Sequence, residues 1–341
     1  MAAWTSEEEQ RRKRRKRILR GLLLGGAAIG VPALINAAIA RQARRVDSTV
    51  WGRRHRYAWD LADVLFQRLG AGDPVVLLHS FGPGHDSLEW RGVGEKLADS
   101  HQIFAPDLPG WGQSEAPAGG KAALDGELYI EFLVDFLDDV VRRRAVVVAS
   151  GLAAAYAVEI AVDHPELVRG LVLSCPIGID SASDEPDLKD AVIHRLLRMP
   201  VFGTSAMNLY TNRKGITRYL LEDLYANPEL VTETLIDHHY RGSHQSSNRS
   251  ALVAYLSGYL NHRVAPAVAR LATPTLLVWG RQATNPAVET ADLWLSMAPA
   301  ASTAAGMELE VLDRAGALPH AERPGAFAKR LAQFVDELPP A

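Results

Sequence analysis

The stretch Val75-Val-Leu-Leu-His-Ser-Phe-Gly82 sets four apolar residues against a short, glycine-ended turn, the pattern of a buried strand running into a loop. A second run, Gln102–Ala105, feeds the turn Ala105-Pro-Asp-Leu-Pro-Gly-Trp-Gly-Gln-Ser114, again rich in proline and glycine. Working outward, the same alternation predicts further strands at Tyr57–Trp59, Val64–Leu69, Ala145–Ala149, Val168–Cys175, Thr275–Trp279 and Met307–Leu312. Helical periodicity falls between them, over Leu88–Ala98, Leu128–Val141, Leu152–His164, Ala287–Met297 and Pro324–Glu337. Strands alternating with helices imply an α/β domain with a mostly parallel, eight-stranded sheet.

The order is interrupted once. Residues 176–271, between the sixth and seventh strands, read as wholly helical and carry Tyr210, Tyr219, Tyr225, Tyr240, Tyr255 and Tyr259, so the segment is expected to form a lid on a core made of 57–175 and 272–341. Charge divides the chain elsewhere. Residues 1–56 hold 14 basic and 4 acidic side chains, against 23 and 36 in the remainder, so an arm of net +10 precedes a body of net −13. The acidic body excludes nucleic acid as its partner on charge, and the basic arm points to an anionic surface. The single cysteine, Cys175, excludes an internal disulfide and a cysteine-based zinc site.

Within the arm, Ser6 and Glu9 have capping-box spacing, residues 11–20 carry eight Lys or Arg, and Gly21 to Ala40 follow without a charge. Twenty helical residues span about 30 Å, the hydrocarbon thickness of a bilayer, so 21–40 reads as a single-pass transmembrane helix. Ala38-Ile39-Ala40 also fits a signal-peptidase site, the competing reading. Gly21 with Gly25, and Gly26 with Gly30, have the spacing that admits a neighbouring helix, and Asn36 would seek a hydrogen-bonding partner. The basic flanks favour a cytoplasmic N-terminus with the body on the opposite, periplasmic or extracytoplasmic side. The expected partners are the lipid bilayer and other membrane protein subunits.

The segments 75–82 and 105–114 resemble the α/β-hydrolase superfamily. The resemblance continues through Pro274-Thr-Leu-Leu-Val-Trp-Gly280 and Arg314-Ala-Gly-Ala-Leu-Pro-His-Ala-Glu-Arg-Pro324, in family order, and covers roughly 57–337. It implies a nucleophile on a Gly-x-Ser-x-Gly elbow, an acid in the loop after the seventh strand and a histidine base near the C-terminus. The elbow here is Ala149-Ser150-Gly151-Leu152-Ala153. Small residues flank position 151, whereas centring on Ser150 would place Val148 and Leu152 at the flanks, so the nucleophile position reads as Gly151. The acid position falls on Ala283, and the base position, in Gly316-Ala-Leu-Pro-His320, on Ala317.

Three replaced triad positions lead to the expectation of a degenerate family member, a non-catalytic scaffold or accessory subunit of a membrane complex. The alternatives are a small-ligand receptor using the old pocket and a serine hydrolase with unusual residues, for which a Ser150–His320 pair is a candidate. His79 reads as a hydrogen-bonded core histidine, and Asp107 and Ser114 as residues that order their loop. His238, His239, His244 and His262 lack ligand spacing, so neither a metal nor a cofactor is expected, and ligand-binding residues are not assignable.

Overall fold

The computed structural model describes residues 13–14, 16–17, 29–43, 51–117, 123–180, 182–245, 247–299 and 306–338. A helix, α1, runs over 29–43. The sheet strands are β1 (Arg53–Ala58), β2 (Asp63–Leu69), β3 (Asp73–Leu78), β4 (His101–Pro106), β5 (Ala145–Ser150), β6 (Val168–Ser174), β7 (Thr275–Gly280) and β8 (Met307–Leu312). They form one eight-stranded sheet in the order β1-β2-β4-β3-β5-β6-β7-β8. Only β1–β2 and β2–β4 pair antiparallel. From β4 to β8 every pairing is parallel. The central strands are apolar on both faces because both are covered: all of β5, β6 and β7 is buried.

Helices α2 (Arg91–Leu97), α3 (Gly126–Phe136) and α4 (Ala153–Asp163) follow the first strands. The insertion after β6 contributes α5 (Leu188–Arg198), α6 (Phe202–Tyr210), α7 (Arg213–Tyr219), α8 (Glu233–Ser243), α9 (Arg249–Leu256) and α10 (Ala265–Val268). Helix α11 (Ala291–Met297) precedes β8, and the short α12 (Pro319–Glu322) leads into α13 (Pro324–Glu337). One core layer joins α3 and α4 to the sheet through Phe132, Phe136, Tyr156 and Trp279. The other joins α2 and α13 to it through Trp90, Leu97, Phe327 and Phe334. Parallel pairing from β4 to β8 places the C-terminal ends of these strands on one rim, where open α/β sheets bind ligands.

The membrane-spanning reading of 21–40 does not stand. Among the described residues no helix is long and apolar enough to cross a membrane. The single-pass assignment and the sidedness derived from it fall with it. Gly21, Gly25 and Gly26 lie outside the described residues. Gly30 lies on α1, and a Cβ built there would meet nothing within 4 Å. Asn36 has its partners within this chain: its amide donates to the Val201 carbonyl (3.0 Å) and to Ser205 Oγ (3.1 Å), and its carbonyl accepts from Asn208 Nδ2 (2.9 Å). The amide that sequence reasoning assigned to a neighbouring transmembrane helix thus ties α1 to lid helix α6.

Candidate active site

The end of β5 turns into α4 through Ser150, Gly151 and Leu152. Gly151 has φ of +58°, the left-handed conformation that a glycine adopts without a Cβ penalty. A Cβ on this residue would stand 2.6 Å from Ser80 Oγ, so the serine hydroxyl of the β3 loop already fills the space beside the elbow. Ser150, by contrast, is buried, and its residue pairs with Ser174 of β6 in the sheet.

Gly151 and Ala317 line one cavity of about 240 Å³, together with Ser80, Phe81, Cys175, Tyr219, Tyr255 and Pro286. Ala283 is buried and is not part of that lining, although Asn285 and Pro286 of the same loop are. The structure therefore brings two of the three sequence-assigned positions to one cleft, beneath the lid. The cysteine in the wall is a poor nucleophile: burial pushes the Cys175 thiol up to about 12, which leaves almost no thiolate near neutrality.

A polar chain enters the cleft from the side. The Tyr219 hydroxyl lies 2.9 Å from His85 Nε2, and His85 Nδ1 lies 2.7 Å from Glu89 Oε2. The Tyr219 hydroxyl reaches this place because residue 82 is glycine, where a Cβ would stand 2.5 Å from that oxygen. Glu89 is the hub. Its Oε1 accepts from the Ser80 backbone N–H (2.8 Å) and lies 3.2 Å from His320 Nε2. Burial alone would raise the Glu89 carboxyl, but hydrogen bonds from His320 and His85 outweigh it and hold the group well below the ordinary carboxylate range. Burial raises the Tyr219 phenol well above its ordinary value, so the hydroxyl stays protonated and donates to His85.

His320 completes a Ser174–His320–Glu89 array, with Ser174 Oγ 3.0 Å from His320 Nδ1. The residue types are those of a serine–histidine–acid triad, but the ring nitrogens are exchanged, with Nδ1 toward the serine and Nε2 toward the carboxylate, and Ser174 and His320 are both 0% exposed, so no substrate reaches them. His320 is also stacked on Trp90 at 3.8 Å between centroids. It braces Glu89 and does not approach Ser150 through any hydrogen bond.

The loop around Ser80 is stiffened by groups visible in the sequence. His79 accepts from the Leu108 backbone N–H through Nε2 (2.9 Å), which leaves Nδ1 to donate to the Ser80 carbonyl (2.7 Å). Asp107 accepts from the backbone N–H of Ser87 (3.0 Å) and Gln113 (2.9 Å). Ser114 Oγ donates to the Asp107 carbonyl and accepts from the Leu65 N–H. His238 pairs instead with Asp86 at 3.0 Å, and among the described residues no cluster of ligands could hold a metal ion. Sequence reasoning missed His85, Glu89 and Tyr219. His85 and Glu89 have i, i+4 spacing beside the glycine-ended turn, which was a usable signal; Tyr219, a distant residue in the lid, gave none.

Comparison with known proteins gives this site a context. The 2-hydroxymuconate semialdehyde hydrolase of Pseudomonas sp. (strain CF600) is 36% identical over 111 residues, covering 32% of this chain and 38% of that protein. The chain thus spans less than half the length of that curated relative. A serine hydrolase involved in carbazole degradation superposes with a TM-score of 0.68 at 20% identity, covering 83% of this chain and 98% of the other. A meta-cleavage product hydrolase, solved as a point mutant, superposes at 0.65 with 18% identity, covering 84% and 98%. The reading of the chain as a non-catalytic scaffold subunit and pseudoenzyme is contradicted by its named hydrolase relatives, the 2-hydroxymuconate semialdehyde hydrolase and a 2-hydroxy-6-oxo-2,4-heptadienoate hydrolase of Pseudomonas putida that is 33% identical over 112 residues. That reading rested on three replaced positions alone, whereas polar side chains of the β3 loop and the lid, Ser80 and Tyr219, line the same cleft. A family model described as alpha/beta hydrolase family matches residues 75–330, most of the chain and all of the site, and the chain belongs to that family.

Proposed function

We propose that the chain is a serine hydrolase of unusual constitution, acting on carboxylic esters in the cleft between sheet and lid, with Ser80 in place of the elbow serine. The observation that carries this is the position of Ser80 Oγ, 2.6 Å from where a Cβ on Gly151 would stand and in the wall of the cavity. In this reading Gly151, Ala283 and Ala317 are the vacated triad positions, and the small side chain of Ala317, in the cavity wall, leaves room for the acyl group. Ser80 and Tyr219 line the same cavity without a hydrogen bond between their hydroxyls, so the Ser80 proton enters the Tyr219–His85 relay, which Glu89 orients through the other ring nitrogen of His85, only when bound substrate brings the two hydroxyls together. The backbone N–H of Leu152, the residue after the elbow, supplies an oxyanion donor for the tetrahedral intermediate. The proton then returns to the leaving alkoxide, and water hydrolyses the acyl-serine by the same relay.

The test is direct. The purified chain should label at Ser80 with a fluorophosphonate probe and should hydrolyse 4-nitrophenyl butyrate. Ser80→Ala should abolish labelling and lower turnover at least about 100-fold, while Tyr219→Phe, which keeps the fold, should lower kcat by ~10–100-fold. No labelling, or labelling that persists in Ser80→Ala, overturns the assignment.

A further inference from the structure

Helix α5 carries its apolar stripe outward. Leu188, Val192 and Leu196 recur every fourth residue, yet all three are exposed, with Leu188 at 81%, and no residue of the helix is buried. Ile193, Met199 and Phe202 extend the stripe, and Leu209 on α6 is 74% exposed. Helix α6 packs against α5 and is tied to α1 by Asn36. On α1 itself Ile29, Val31, Leu34 and Ile35 are exposed, Leu34 at 73%. Single exposed aliphatic residues need no explanation, but this many on three adjoining helices mark an interaction surface.

Charge identifies the occupant. Exposed Lys189, Arg195 and Arg198 stand among the aliphatic residues of α5, whose acidic groups, Asp187 and Asp190, are confined to its N-terminal end, and Arg41 stands on α1. Lys13, Arg14, Lys16 and Arg17, all exposed, belong to the basic segment that leads into α1. Aliphatic side chains interleaved with cations match the two layers of an anionic lipid surface, acyl chains below phosphate headgroups. We propose that the face built from α1, α5 and α6 rests on an anionic lipid surface. Tyr210 belongs both to this face, at 46% exposure, and to the wall of the cleft, so docking brings the cleft's rim to the lipid. That consequence, which makes esters partitioned into lipid the substrate class, rests on the hydrolase reading; the docking itself does not.

The experiment is flotation of the full chain with phosphatidylcholine vesicles and with vesicles containing about 30% phosphatidylglycerol at physiological salt. The anionic vesicles should carry at least about tenfold more protein. Combining Leu188→Ser, Leu196→Ser and Leu209→Ser should lower that partition by at least about tenfold without moving the melting temperature, because the three side chains are exposed. Ser80→Ala should float as the parent does, which separates this inference from the fate of the esterase assignment. Vesicle binding that is unchanged in the triple variant, absent in the parent, or replaced by a dimer that the triple substitution dissociates would overturn it.

Discussion

Glu89 is the residue on which the cleft's polar groups converge. It holds the Ser80 backbone, His85 and His320 at once, and its carboxylate is kept ionised against burial by those donors. Glu89→Gln keeps the shape and removes the charge, so it should cost roughly 2 kcal/mol of stability at neutral pH. The sign of its pH dependence follows from the depressed carboxyl. Stability that Glu89 contributes is present above its unfolded value near 4.5 and is lost as pH falls toward the lower native value. Between about pH 6 and about pH 3 the parent should therefore lose more stability than Glu89→Gln, read as the difference in urea midpoints. Equal losses in the two proteins would mean the carboxylate is not ionised in the fold. The site was only half legible in the sequence for a related reason. Gly151 and Ala317 were assigned from fixed offsets in local motifs and line one cleft, but the meeting of His85 with Tyr219 depends on the path of the lid, which periodicity does not specify.

At the level of elements, the strands declared themselves because buried parallel strands are nearly continuous apolar runs; β8 at Met307–Leu312 and α13 at Pro324–Glu337 coincide with the sequence reading residue for residue. Helix α1 did not. An uncharged stretch of bilayer length has the same composition whether it spans lipid or lies along a protein surface, and only tertiary contacts separate the two cases. Those contacts are polar here. Asn36 makes hydrogen bonds to Val201, Ser205 and Asn208, in a part-buried seam between α1 and α6. Asn36→Ala removes all of them. Amide exchange over 29–43 should then accelerate severalfold, while the central strands β5 to β7 keep their protection, because none of their packing involves α1. Unchanged exchange in α1 would show that its aliphatic contacts alone hold it to the lid.

Across the whole molecule the question is where the folding unit begins. Strand β1 starts at Arg53, but the layer on α2 starts earlier, at Trp51, which is 3% exposed and lies against that helix. Its fit is tight: a Cβ on Gly94 would stand 2.5 Å from the Trp51 ring, so the helix approaches the indole only because residue 94 has no side chain. Trp51 shares the α2–α13 layer with Trp90, Leu97 and Phe327. Helix α1 lies instead against the lid, outside that layer. A chain starting at residue 45 keeps that layer and loses only the α1 seam, with buried Ala43 and the Asn36 hydrogen bonds, so it should be destabilised by no more than about 2 kcal/mol. A chain starting at residue 53 loses the indole and should be destabilised by about 3–5 kcal/mol, the cost of emptying a tryptophan site in a packed core. Urea unfolding of the two truncations, with Trp51→Ala in the full chain as the matching control, measures both. If the shorter chain were as stable as the longer, the layer beneath α2 would close without its tryptophan, and the folding unit would begin at β1.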